Sequence, residues 1–422
     1  MQNIMALVMA GGRGERLVPL TSDRTKPAVP FGGSYRIIDI VLSNCINSEI
    51  YKIMVLPQYK AQSLVDHLEA GWNIFSWDLG HYLKIVPPQM RTGKDWYRGT
   101  ADSVRQNLYL IERDKAQHVL VLSGDHIYKM NYAQFGDYHV AKGGGLTIAV
   151  VEALKSEAHR FGIVEVDEDF RVVGFEEKPT GEPKTIPGDP NHVLVSMGIY
   201  MFERGALLEV LRGTDQDDFG KEIIPMMTEK SPVYAYPYKR ENRIKDYVYI
   251  TLESGERVKK LEDRVRDSSY WRDVGDLDAY WNANMDLTGV DPLFNLYGEN
   301  WPLRTFQNQS PPVKTVFNDR ENKRVGMFLD SIVSHGSIIS GGKVTNSILS
   351  SNVLVRSWAE VRESVVMSNV TIGRHCKIMK AIIDKGNNIP PYTEIGYNPS
   401  KDRERFTVTP RGITVVKKGM FR

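Results

Sequence analysis

Residues 5–16, Met5-Ala6-Leu7-Val8-Met9-Ala10-Gly11-Gly12-Arg13-Gly14-Glu15-Arg16, decide the class of the fold. The apolar run from Ile4 to Ala10 reads as a buried strand, and it ends abruptly in three glycines within four residues. Such a strand-to-loop junction is where an α/β sheet binds its ligand. Without Cβ atoms, Gly11, Gly12 and Gly14 let backbone N–H groups approach phosphate oxygens, while Arg13 and Arg16 add mobile positive charge. The loop is suited to a polyphosphate. Neither common phosphate motif fits, since no Gly-Lys-Ser/Thr closes the loop and Leu17 stands where the Rossmann fingerprint has its third glycine. Alone, a glycine-rich turn after a strand is as readily a plain tight turn. Downstream, Lys26-Pro27-Ala28-Val29-Pro30 adds a lysine braced by proline that can be aimed at the same anion.

Outward from this stretch, apolar runs alternate with amphipathic segments up to about residue 150: 52–56 then 61–70, and 101–112 then 118–123. That alternation predicts βαβ units and a mostly parallel sheet with helices on both faces. Over 146–202 the pattern changes to β-type alternation, predicting an added mixed sheet over one side of the cleft. Residues 290–312, rich in Asn and Pro, read as a connector between domains. Beyond it branched aliphatics recur in triplets with steps of six, offset by seventeen: Ile332, Ile338, Val344; Leu349, Val355, Val361; Val366, Ile372, Ile378; Ile383, Ile389, Ile395. Six-residue spacing gives three flat faces per coil, each turning one aliphatic inward, so four stacked coils of a parallel β-helix are expected. Its sheet edges invite pairing with another subunit.

At 422 residues the chain exceeds what one core usually serves, so two domains are expected. A net charge of +2, without long charge runs, gives no mark of nucleic-acid or anionic-lipid binding. Cys45 and Cys376 match no metal spacing and read as buried thiols in a reducing compartment. The first apolar run continues into the glycine loop without a basic segment ahead of it, so a core strand is expected there and no signal peptide. No stretch approaches the roughly 20 apolar residues that span a bilayer. A cytoplasmic protein is expected.

The string Ala10 to Leu17, followed by Lys26-Pro27-Ala28-Val29, resembles the signature of sugar-1-phosphate nucleotidylyltransferases. Trp96-Tyr97-Arg98-Gly99-Thr100-Ala101-Asp102, Ser123-Gly124-Asp125-His126-Ile127-Tyr128-Lys129-Met130, Phe175-Glu176-Glu177-Lys178-Pro179, Ser196-Met197-Gly198-Ile199-Tyr200 and Tyr270-Trp271-Arg272-Asp273-Val274-Gly275 narrow the resemblance to bacterial ADP-glucose pyrophosphorylases. It covers nearly the whole chain. The fold implied is α/β: a Rossmann-like nucleotidyltransferase domain over 1–290, a linker over 291–315, and a C-terminal left-handed, hexapeptide-like parallel β-helix over 316–422 for regulation and oligomerisation. The activity implied joins ATP and glucose 1-phosphate to give ADP-glucose and pyrophosphate, the committed step of glycogen synthesis.

In that reaction an anionic sugar phosphate must attack an anionic α-phosphorus in line, so the protein's task is charge neutralisation and alignment. Mg2+ is the implied cofactor; two carboxylates with water and phosphate oxygens suffice to hold it. By resemblance these are Asp125 and Asp273. Asp125 also stands out by itself, because an acid after a glycine at the end of a buried strand is poorly placed for packing. Asp273, beside Arg272, reads equally as an ion-pair partner or helix cap. The resemblance further implies that Arg13 and Lys26 contact the ATP phosphates, with Arg16 as a third, and that Gln89, ahead of Arg91-Thr92-Gly93-Lys94, contacts the nucleotide. Lys178 is implied for the sugar phosphate, and Tyr97, Gly162, Glu177 and Ser196 for glucose. Members are commonly allosteric tetramers, which implies a homotetramer and anionic metabolite effectors; Arg24, Arg36, Arg113, Lys385, Lys418 and Arg422 match basic positions of the effector sites. Two departures stand out. Asp23 replaces a lysine and would repel a bisphosphate. Residues 240–269 are longer than in enteric members and read as an exposed hairpin, 247–252 with 256–261.

Three other readings are weighed. A thymidylyl- or uridylyltransferase is disfavoured by the Trp96 and Tyr270 segments, and a regulatory subunit without activity by the retention of Arg13, Lys26, Asp125 and Asp273. An acyl-transferring β-helix is disfavoured because His335 and His375 read as turn residues.

Overall fold

The computed structural model describes residues 3–90 and 95–422. Four parallel strands form its centre: β1 (Ile4–Ala10), β2 (Lys52–Pro57), β3 (Tyr82–Ile85) and β4 (His118–Ser123), in the order β3-β2-β1-β4. Alternation along β1 divides its side chains between the two faces of the sheet. Ile4, Ala6 and Val8 pack with Ile38, Val41 and Leu42 of the helix Ile37–Asn47, while Met5 and Leu7 pack with Ala101, Val104 and Ile111. With helices on both sides the strand is apolar throughout, as its sequence indicated.

The segments from 146 to 237 do not form a separate sheet. β5 (Leu146–Leu154), β6 (Gly162–Val166), β7 (Val172–Glu177), β8 (His192–Glu203) and β9 (Val233–Pro237) continue the central one into nine strands. β8 pairs antiparallel with β4, β5 and β6, and this long strand carries the hydrogen bonding across. An added layer was expected; the register of β8 on β4 makes one continuous sheet instead.

The hairpin Asp246–Thr251 with Arg257–Glu262 stands where the sequence put it, with Tyr249 59% exposed. The connector after residue 290 is largely exposed but anchored at three points: Phe294 and Trp301 are buried, and Thr305 donates to the buried Asp39 at 2.7 Å.

The C-terminal strands form a parallel β-helix of three five-stranded sheets, the third extended by the antiparallel strand Thr407–Val408, giving five layers where four triplets had been read. The first triplet is also corrected. Val333 and Ile339, not Ile332 and Ile338, pair with Leu349 and Val355, and Ile339 is fully buried while Ile338 is 38% exposed. Ile332 turns instead toward the N-terminal domain, within 3.6 Å of where a Cβ on Gly33 would sit. Ile348, Val365, Ile382 and Val415 of one helix face share a core with Val29, Ile37, Tyr280 and Leu287. Trp281 Nε1 donates to Glu363 O across this boundary at 2.8 Å. Cys45 and Cys376 are both buried and unpaired with each other. No helix among the described residues is long and apolar enough to cross a membrane.

Candidate active site

At the end of β1 the Ala10 carbonyl accepts a hydrogen bond from Thr25 Oγ1 at 3.0 Å, which ties the Lys26 segment to the glycine loop. Gly14 adopts φ 63°, and a Cβ there would meet Thr21 Cγ2 at 2.9 Å and Lys26 Cβ at 3.3 Å, so the fold requires glycine. Gly12 faces open space, with nothing within 4 Å of an added Cβ. The loop walls a cavity of about 1000 Å3 whose lining includes Gly11, Arg13, Arg16, Lys26, Tyr97 and Asp125.

Asp125 follows β4 and Asp273 ends the strand Trp271–Asp273, which pairs antiparallel with His126–Tyr128 so that Asp273 lies opposite His126. This pairing brings the two distant aspartates together. Lys26 Nζ lies 2.7 Å from Asp125 Oδ2 and 3.6 Å from Asp273 Oδ1. His126 Nε2 stands 3.5 Å from Asp125 Oδ1 and 3.6 Å from Asp273 Oδ1, its ring packed edge-on against Trp271. Burial pushes the Asp125 carboxyl up, but the charges of Lys26 and His126, with hydrogen bonds from Lys26 and Ser123, outweigh it and hold the group well below the usual carboxylate range. Among the described residues no set of three or more His, Cys, Asp or Glu is arranged around a metal position.

A second cavity, of about 450 Å3, is lined by Arg16, Glu157, His159, Arg160, Lys178 and Asp276, and Arg16 lines both cavities. Lys178 takes φ 52°, a conformation that costs a side-chain-bearing residue about 1–3 kcal/mol. Its N–H donates to Phe161 O at 2.9 Å and its ammonium pairs with Glu177. Glu177 faces Gly162 across the β6–β7 ladder, where a Cβ would come within 2.7 Å of Glu177 Oε2. Ser196, on neighbouring β8, bonds the Tyr200 hydroxyl at 3.3 Å. The Tyr97 hydroxyl donates to Val86 O at 3.1 Å and accepts from Asn107 at 2.9 Å, so this residue offers a wall, not a free hydroxyl. Gln89 accepts from Tyr109 at 3.3 Å and lines neither cavity, and the 91–94 segment after it lies outside the described residues. Sequence reading missed His126, whose adjacency to Asp125 was the available signal, and Arg160, signalled only by its place before Phe161-Gly162.

The basic positions assigned to effectors divide. Arg36 and Lys385 line a cleft of about 140 Å3 between the domains, together with His335, Asn352 and Asn369. Burial, followed by the charges of Arg36 and Arg24, lowers the Lys385 pKa to about 8. Lys418 stands 3.7 Å from Asp23, so the acid that departs from the family pattern neutralises it, and Gly419 N donates to Lys385 O at 3.1 Å. Arg422 closes the chain beside Phe421, whose N–H donates to Asn387 at 2.9 Å. Arg24 is not open to the cleft: its side chain is 5% exposed and is bonded to Asp384, itself 1% exposed. Arg113 lies apart, next to Asp114, which binds Lys52 at 2.8 Å at the amino-terminal edge of the sheet.

Residues 5–289 match the nucleotidyl transferase family, and residues 311–416 match the GlmU-like C-terminal hexapeptide family, whose repeat builds left-handed parallel β-helices. A protein of Rhodopirellula baltica named glucose-1-phosphate adenylyltransferase is 47% identical over 99% of this chain and 91% of its own length. Glucose-1-phosphate adenylyltransferase 2 of Vibrio cholerae is 45% identical over 99% of this chain and 98% of its own. Another, of Anaeromyxobacter sp., is 45% identical over the whole of this chain and 99% of its own. With both domains and nearly its full length matched, the chain belongs to the nucleotidyl transferase family, among the glucose-1-phosphate adenylyltransferases.

Proposed function

We propose that this site transfers the adenylyl group of ATP to α-D-glucose 1-phosphate, releasing ADP-glucose and pyrophosphate, and that it thereby commits glucose to glycogen. One observation carries the reading: Lys26, Asp125 and Asp273 converge beside a glycine loop that opens a large cavity, and Arg16 joins that cavity to a second one in which Arg160 and Lys178 stand with Glu157 and Asp276. The large cavity suits the nucleotide, the smaller one the sugar phosphate. A phosphate oxygen of the sugar forms the new bond to the α-phosphorus as the bond to the pyrophosphate oxygen breaks. Lys26, Arg13 and Arg16 neutralise the triphosphate, Lys178 holds the incoming phosphate, and Glu177, Gly162 and Ser196 flank the glucose.

The donor set fits Mg2+. Asp125 and Asp273 are hard anionic oxygens, they already face a cation in the Lys26 ammonium, and Asp125 stays ionised at any physiological pH. When bound there, Mg2+ would neutralise charge on the α-phosphate, its remaining ligands coming from phosphate and water. Effector control is assigned to the cleft of Arg36 and Lys385, for anionic metabolites. The exposed edge of the first β-helix layer (Lys314–Val316) supports a homotetramer, and two buried free thiols support a reducing, cytoplasmic setting.

Pyrophosphate release from purified protein with glucose 1-phosphate, Mg2+ and each of ATP, dTTP and UTP tests the reading. ATP is the expected nucleotide. Preference for dTTP or UTP would replace the substrate assignment, and no release from any of them would make the chain a regulatory subunit.

A further inference from the structure

Arg160 has a role that neither sequence nor similarity assigns. It ends the short helical turn Lys155–Arg160, immediately before β6, and its guanidinium hangs among three carboxylates. Nη2 is 3.6 Å from both Asp273 Oδ2 and Asp276 Oδ2, and Nη1 is 3.7 Å from Glu157 Oε1. These separations exceed the roughly 2.7–2.9 Å of a charge-assisted hydrogen bond, and the guanidinium of Arg160 makes no hydrogen bond to an acceptor among the described residues. Arg105 shows what a satisfied structural arginine looks like here, since its Nη2 donates to Asp102 at 2.7 Å and to Asp217 at 2.8 Å. Arg160, 25% exposed, keeps its fork of donors free for a ligand.

Its surroundings indicate which ligand. Arg160 and Lys178 stand at the open end of the β6–β7 hairpin, linked by the Lys178 N–H to Phe161 O bond, and both line the smaller cavity with Arg16. Arg160 also neighbours Gly275, a residue of the larger cavity's wall: a Cβ there would lie 3.2 Å from Arg160 Nη2 and 2.7 Å from Asp273 Oδ2. The guanidinium therefore stands in the smaller cavity on the side of Gly275, beside the carboxylate of Asp273.

We propose that Arg160 is a second arm of the sugar-phosphate clamp: it binds the phosphate of glucose 1-phosphate through its guanidinium fork, opposite Lys178, and turns that phosphate toward the α-phosphorus. A planar fork matches two phosphate oxygens, which a lysine cannot do. This assignment rests on the reading of the site as an adenylyltransferase.

Wild type, Arg160→Gln, Arg160→Lys and Lys178→Ala, each with Mg2+, are compared by initial rates of pyrophosphate release and by thermal melting. Arg160→Gln is expected to raise the KM for glucose 1-phosphate about ten- to hundred-fold, with the KM for ATP within about two-fold, and Arg160→Lys to fall between. An unchanged KM for glucose 1-phosphate in Arg160→Gln, beside a raised one in Lys178→Ala, overturns the clamp and leaves the reading of the site standing. A fall in kcat with both KM values unchanged also overturns it, because Arg160 would then act only by positioning Asp273. Should Arg160→Gln melt below the assay temperature, Arg160→Lys decides by the same criterion. A wild type that releases no pyrophosphate removes the site reading itself, and the clamp with it.

Discussion

Asp384→Asn tests whether Arg24 holds the two domains together. The substitution removes one charge and little else: Asn is nearly isosteric and keeps an Oδ1 that can accept the Lys385 N–H, at 2.7 Å in the native chain. It leaves the Arg24 guanidinium buried without its counter-ion, and with Arg36 and Lys385 as its charged neighbours. Side-chain exposures of 5% and 1% mean that solvent screens this loss very little. Removing one partner of such a pair costs about 3–5 kcal/mol, a shift of roughly two to four orders of magnitude in the folding equilibrium. Equilibrium unfolding in urea measures it. Tryptophan fluorescence is a suitable probe, because Trp281 bonds Glu363 across the same boundary. The double variant Arg24→Leu/Asp384→Leu, which replaces both charges by apolar groups, is expected to lie within about 1.5 kcal/mol of wild type. A cost below about 1 kcal/mol for Asp384→Asn, or a double variant no better than the single, refutes the buried-pair reasoning.

Asp125→Asn is expected to cut turnover by roughly 10³-fold with the melting temperature preserved, since the group acts on charge that develops in the reaction; near-normal steady-state turnover excludes it. Gly14→Ala destabilises by at least about 1 kcal/mol in urea titrations because of its positive φ and crowding, whereas Gly12→Ala, with open space around its Cβ, leaves stability unchanged and raises the KM for ATP. Equal effects on stability would contradict this division. Lys385 loses its proton near pH 8 when folded and near 10.5 when unfolded, so the unfolded chain holds more protons between those values and its contribution to stability rises with pH across that window. An anion bound beside Lys385 raises its pKa and draws in a proton at about pH 8–9, seen by titration calorimetry in buffers of different ionisation enthalpy; Lys385→Met removes both effects.

The strand and loop at 4–16 were legible because burial on two faces leaves an unbroken apolar run and a glycine turn marks its end. The β-helix was legible by period, but its first coil was misread because Ile332-Val333 and Ile338-Ile339 are adjacent aliphatic pairs, and spacing cannot tell which member turns inward. Asp125 announced itself by its place at a strand end. Asp273 could not, because what makes it part of the site is a two-strand pairing with His126–Tyr128 that no local pattern encodes. The buried ion pair of Arg24 was not legible for a related reason: its partner Asp384 is 360 residues away. Arg160 sits on a single short turn, where no periodicity singles out a side chain.

Arg24, Thr25 and Lys26 are consecutive, yet the first is bound to the β-helix, the second to the end of β1 and the third to Asp125. A shift of the β-helix against the first domain thus has only two peptide units to cross before it reaches the Lys26 ammonium beside Asp125 and Asp273. Motion at that interface need not pass through the core to be felt at the site, and substitutions at Thr25 would be the place to uncouple the two.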